Sequence, residues 1–223
     1  EDASDYHIIV AGSLLGVAVN RAKFSFPVGK VDIKTMYPMD MEEFMLALGE
    51  NALAEQIKKS FETDTPLPSA LHDTAMQLYR QYLVVGGMPE CVMQFAGTKD
   101  YILVRHTQNT ILASYLNDMS KYNSLNEIKK TRLAYDNITV QLSKKNTRFQ
   151  YKLIKKGGRA SEFENAIEWL CLSGIVSQVY KAEQIKKPLE NYRDIDAFKI
   201  YVSDLGLLAA KKDLSADDIL YMS

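Results

Sequence analysis

The apolar run Ile8-Ile9-Val10-Ala11 constrains this chain more than any other stretch. A continuous run of that length, rich in β-branched side chains, suits a strand covered on both faces, as in a parallel sheet beneath helices. Gly12-Ser13 ends it, so the first polar side chain sits at the strand's carboxyl end, the edge where open α/β sheets bind ligands. No earlier residue supplies a neighbouring strand, and the reading is a piece of a larger protein. The opening Glu1 and the closing Leu220-Tyr221-Met222-Ser223 both read as cuts.

A length of 223 residues suits one large domain or two small ones, and 47% apolar residues supply an ample core. The net charge of −1 creates no field that demands nucleic acid or an anionic membrane. The longest apolar stretch, Ile8 to Val19, has 12 residues interrupted by Gly and Ser, too short to span a bilayer. No signal-peptide pattern opens the chain, and no membrane partner is expected. Cys91 and Cys171 lie far apart in apolar helical patterns and read as buried free thiols, with a disulfide or metal site as the alternative.

Val31 and Ile33 alternate with Lys30, Asp32 and Lys34, predicting a half-exposed strand over 28–35. Asp40 and Glu43 form a capping box for a helix over 41–48, ended by Gly49. From 51 to about 122 the spacing predicts helices only: about 52–61, 69–85, a short one opened by Pro89 after the Gly86-Gly87 break, and a long one over about 100–119. The last third is organised differently. Ser124 with Glu127 caps a helix to about 142, residues 149–154 make a short second helix, and Ser161 with Glu164 caps a third. Strands over 176–180 and 198–202 flank a long polar loop, and three helices followed by a hairpin is the order of a winged helix-turn-helix.

GSLLGVAVNR, SFPVGKV, YPMDMEEFMLALGE, YLVVGGMPECV, SYLNDMSKY, KKGGRASEFENAIEWLCLSGIV and FKIYVSDLGLL together resemble a group of bacterial and archaeal AAA-type P-loop ATPases, in order and along almost the whole chain. The resemblance implies an α/β remnant plus a mostly helical chain. Residues 1–49 would end a P-loop sheet, 50–122 form a helical lid, and 123–223 a winged-helix-like domain. It also implies ATP and Mg2+ as cofactors of the intact protein, a cytoplasmic location, and a nuclease-like C-terminal domain of unknown function. The chain's partners would then be its own missing N-terminal and C-terminal domains. One departure stands out. The sequence has no G-x-x-x-x-G-K-[ST] and no apolar strand ending in Asp-Glu, which a phosphate cradle and a magnesium site require. Both are expected upstream, and this chain alone is not expected to hydrolyse ATP.

The resemblance also proposes site residues. Ser13 would be a polar sensor orienting the attacking water, or else merely a cap for the following turn. Gly86, Gly87 and Pro89 would start the lid helix where the backbone nears the nucleotide, or else form an ordinary helix break. Arg21 reads as a phosphate-proximal cation or a surface side chain.

Lys144, Lys145, Arg148, Lys152, Lys155, Lys156 and Arg159 are seven cations in sixteen residues without an acid. Such segregation points to DNA, to docking on an acidic surface of the missing domain or a partner, or to a solvated face. Glu162, Glu164 and Glu168 on the third helix oppose the first, leaving Arg159, Ser161 and Asn165 as groove-side groups. His7, His72 and His106 are scattered and predict no metal site. Asp204-Leu205-Gly206 reads as a strand-to-helix turn. The functional reading is an ATP-binding switch whose nucleotide state sets the lid against the winged helix. The alternative is a non-enzymatic nucleic-acid-binding or protein-interaction module.

Overall fold

The computed structural model describes residues 6–9, 12, 32–121, 124–144 and 148–222. The chain is mostly helical, with one two-stranded antiparallel sheet among the described residues. In order come α1 (Met41–Ala47), α2 (Asn51–Glu62), α3 (Ser69–Val85), α4 (Pro89–Thr98), α5 (Tyr101–Lys121), α6 (Leu125–Leu142), α7 (Ala160–Leu172), β1 (Val176–Ala182), β2 (Arg193–Val202), α8 (Leu205–Lys211) and α9 (Ala216–Leu220).

Local signals set most helix starts. Asp40 accepts from the Glu43 N–H at 2.9 Å while Glu43 accepts from the Asp40 N–H at 3.0 Å, completing the capping box of α1. Ser124 and Glu127 do the same for α6. Pro89 opens α4, where its missing N–H has no intrahelical role. Asp100 accepts from the Ile102 N–H at 2.7 Å and so caps α5.

Four expectations change. Ile8 and Ile9 are 71% and 94% exposed and belong to no strand, and 32–35 is likewise unpaired with Ile33 exposed. A strand needs neighbours to satisfy its backbone and cover its side chains, and the sheet that the described residues do form lies elsewhere. The Ser161–Glu164 box does not form, because α7 starts two residues early with Arg159 as N-cap, and Glu162 instead pairs with Lys155 at 2.8 Å. The short second helix shrinks to a 3₁₀ turn, Tyr151–Leu153.

The hairpin is longer than its apolar core suggests. Lys181 and Ala182 pair with Asp194 and Arg193 across a bulge, and the Arg193 guanidinium lies 4.4 Å from the centroid of the Tyr180 ring. The Phe149 N–H donates to the Phe198 carbonyl at 2.9 Å, laying the segment after α6 along β2. Phe149, Tyr151 and Tyr180 pack around Phe198 with ring centroids 5.6 to 6.1 Å away.

The largest core joins α6, α7 and the hairpin through Tyr135, Ile138, Phe163, Ile167, Leu170 and Ile200. A second joins α1, α3, α4 and α5 through Phe44, Val85, Cys91, Val92, Phe95 and Val104. After β2 the chain returns to the helical half. Helices α8 and α9 pack on α3, with Ala209 and Ile219 against Val84, and α8 also meets α5. The Lys211 ammonium bonds Asp136 at 2.7 Å and lies 3.7 Å from the Tyr135 ring centroid, tying α8 to α6.

Candidate functional site: a clasp at the Gly86-Gly87 turn

Helix α3 ends with two carbonyls, Val84 and Val85, that its own hydrogen-bond ladder cannot satisfy. Gln108 of α5, 1% exposed, donates its side-chain N–H to both, at 2.8 and 3.1 Å. The chain then turns through Gly86 at φ +77° and ψ −170°, a region essentially closed to residues bearing a Cβ. A Cβ there would lie 2.3 Å from Asp204 Oδ1, and a Cβ on Gly87 would lie 1.9 Å from the Met39 carbonyl oxygen.

Asp204 is the N-cap of α8 and is 4% exposed. Its Oδ1 accepts from the Leu207 N–H at 2.8 Å, and its Oδ2 accepts from the Gly87 N–H at 2.6 Å. On the other side of the same glycine, the Gly87 carbonyl accepts from the Met39 N–H at 2.7 Å. The Met39 carbonyl in turn accepts from the Tyr82 hydroxyl at 2.8 Å. Three parts of the chain therefore meet at this turn: the segment entering α1, the α3–α4 junction, and the start of α8.

Burial pushes the Asp204 carboxyl above the ordinary carboxylate range, and the N–H groups of Leu207, Gly87, Gly206 and Met88 oppose that rise without cancelling it. Burial first, then the Asp204 charge, also raises the Tyr82 and Tyr115 hydroxyls and pushes the Cys91 thiol up to about 12. Cys91 is therefore an inert thiol beside the clasp, without nucleophilic character at neutral pH.

The residues expected from sequence are distributed as follows. Ser13, Arg21 and Lys145 lie outside the described residues. Gly86 and Gly87 are buried, and the close approach that their missing Cβ atoms permit is made by Asp204 and Met39 of the same chain. With its N–H given to Asp204, Gly87 offers no donor to a phosphate, so the described turn does not fit a phosphate cradle. Pro89 stands exposed at the first turn of α4.

Of the basic segment, Lys144, Lys152, Lys155, Lys156 and Arg159 are exposed. Arg148 donates to the Asp196 carbonyl at 2.9 Å and so binds the hairpin. The outward face of α7 carries Ser161, Glu164, Asn165 and Glu168. Asp204 does lie at a strand-to-helix turn. What its Asp-Leu-Gly context does not reveal is a second hydrogen-bond partner 117 residues away. Gln108 carries no sequence signal beyond being polar on the buried face of a helix.

Among the described residues no group of three or more His, Cys, Asp or Glu is arranged to hold a metal, and no helix is long and apolar enough to cross a membrane. The profile of a family described as "Domain of unknown function (DUF8612)" matches residues 76–218. The chain belongs to that family. The DUF8612 span begins inside α3 and ends inside α9, so it encloses the Gly86-Gly87 turn, Asp204 and the whole basic segment, while Met39 lies before it. No curated protein and no solved structure matches the chain.

Proposed function

We propose that this DUF8612 chain is the lid and winged-helix portion of an ATP-binding AAA-type P-loop ATPase, and that it relays the state of the nucleotide-binding part to the hairpin-bearing unit. The observation that carries the reading is that one turn serves two ends. Pro89 faces solvent at the turn whose Gly87 N–H is held by Asp204, so a nucleotide seated against Pro89 would bear directly on α8. The order of the resembling motifs along the chain supports the ATPase assignment. The Phe149–Phe198 bond supports the winged-helix assignment, since it sets the segment between the first two helices along the hairpin. In the intact protein ATP with Mg2+ would supply the phosphoryl chemistry, with Ser13 the polar sensor that the resemblance implies. Gly86 and Gly87 act here as the clasp.

The test is titration calorimetry with MgATP on protein that includes the upstream sequence. The Pro89→Trp variant, altered at an exposed position, is expected to bind about tenfold more weakly with unchanged thermal stability. Equal affinity in the variant, or no binding by the extended wild type, would remove the reading.

A second reading rests on the exposed cations of the winged unit. Lys144, Lys152, Lys156 and Arg159 could neutralise phosphates of duplex DNA, whereas Glu164 and Glu168 bar α7 from a groove. Binding should then be independent of sequence, with log affinity falling against log salt at a slope of about −3 to −4 for four phosphate contacts. Neutralising Lys152 and Lys156 should flatten that slope by about two. No mobility shift at low salt would dispose of this reading.

A further inference from the structure

We propose that the Gly86-Gly87 turn is a built-in coupling joint, in which Asp204 and Met39 grip the two peptide groups of one glycine, so that releasing either chain segment loosens the other. The inference does not depend on nucleotide binding and holds for the chain in isolation. Gly87 has one N–H and one carbonyl, and each goes to a different distant segment: the N–H to Asp204 at 2.6 Å, the carbonyl to the Met39 N–H at 2.7 Å. There is no slack between them. The ideal Cβ directions of Gly86 and Gly87 run into Asp204 and the Met39 backbone, so the two anchors close on the turn from opposite sides.

The surroundings deny a gradual opening. Phe44, Val85 and Cys91 are fully buried against the turn and Val92 is 2% exposed, so a shift of Gly87 must break packing as well as hydrogen bonds. Losing Asp204 would strand the buried N–H groups of Gly87 and Leu207 together, which favours two discrete arrangements over a continuum.

Each anchor also leads outward. Met39 adjoins Asp40, the cap of α1, and Tyr82 of α3 pins its carbonyl. Asp204 starts α8, whose Lys211 binds Asp136 and covers Tyr135 of α6. A continuous run of contacts thus joins the segment entering α1 to the unit that carries the basic residues and the hairpin. A partner that draws on the segment before Met39 would be felt at α8 and α6.

The test is amide hydrogen exchange on the full chain, comparing wild type with Asp204→Asn and Tyr82→Phe. The amides of Ile138 and Leu170, deep in the other core, track global opening. Asp204→Asn should speed exchange at the Met39 amide, which Asp204 does not touch, about tenfold more than at Ile138 and Leu170. Reciprocally, Tyr82→Phe, which removes a single hydroxyl and leaves the core intact, should speed exchange at Gly87 and Leu207 more than at those two core amides. If each variant affects only the amides it bonds directly, or if all amides accelerate in parallel with Ile138 and Leu170, the joint does not exist. Should Asp204→Asn fail to fold, the Tyr82→Phe arm decides alone on the same criterion.

Discussion

Replacing Asp204 with alanine should lower the stability of the chain by about 3 kcal/mol in urea denaturation, with the midpoint moved and the slope kept. The figure follows from what the carboxylate holds. Two backbone N–H groups donate to it at 2.6 and 2.8 Å in a site where it is 4% exposed. A hydrogen bond to a charged acceptor contributes about 1.5–3 kcal/mol, and stranded buried donors add their own desolvation cost. Relief from burying a charge offsets part of this, which keeps the total near the low end of the sum. Asparagine should recover some of the loss, since it keeps one acceptor oxygen, but its amide would set a donor against a donor.

The same carboxyl gives stability a pH signature. Burial holds its native pKa above the unfolded value, so the folded state binds the proton more tightly. Its contribution is most favourable below the ordinary carboxylate pKa and falls away as pH rises through the native value. That slope should vanish in Asp204→Asn.

The second large effect belongs to Gly87. An alanine Cβ would fall 1.9 Å from the Met39 carbonyl oxygen and 2.7 Å from its nitrogen, and both are backbone atoms. Relief would require Met39 to move, breaking its N–H bond to Gly87 and its carbonyl bond from Tyr82. Two neutral hydrogen bonds at about 1 kcal/mol each, with overpacking strain of about 1–3 kcal/mol, put Gly87→Ala at about 3–5 kcal/mol. Gly86→Ala should fall in the same range for a different reason, since φ +77° with ψ −170° is strained for any L side chain. Gly97 provides the contrast. It lies within α4 with nothing within 4 Å of an added Cβ, so Gly97→Ala should stabilise by about 0.5–1 kcal/mol. Equal costs at Gly87 and Gly97 would show that the turn tolerates a side chain.

What could be read from the residues alone was local. The Asp40–Glu43 and Ser124–Glu127 boxes, Pro89 after a glycine pair, and the spacing through α3 and α5 all act within a few residues, and these elements formed as expected. The failures share a cause. The run Ile8-Ile9 has strand character only if neighbours exist to pair with it, and residue pattern cannot supply them. Ser161 and Glu164 have the right spacing for a cap, yet α7 begins two residues earlier and Glu162 takes up Lys155.

The clasp was legible in halves. Gly86-Gly87 announced a special backbone and Asp204 a helix cap, but their meeting spans 117 residues and depends on tertiary packing. Glycine pairs admit whatever comes close, and the sequence could not say whether that would be a ligand or the chain itself. Likewise the basic segment was visible as charge, whereas the engagement of Arg148 by Asp196 and of Lys155 by Glu162 required the fold.

The most direct measurement is an NMR titration that follows the Asp204 side-chain carboxyl together with the Gly87 and Leu207 amide protons. A carboxylate clasped between the two should make both amide protons shift with the carboxyl's own transition, displaced upward from the usual aspartate range, and both should exchange slowly with solvent. A Gly87 amide that exchanges at the rate of an open loop, and whose shift ignores the titration of Asp204, would contradict the clasp.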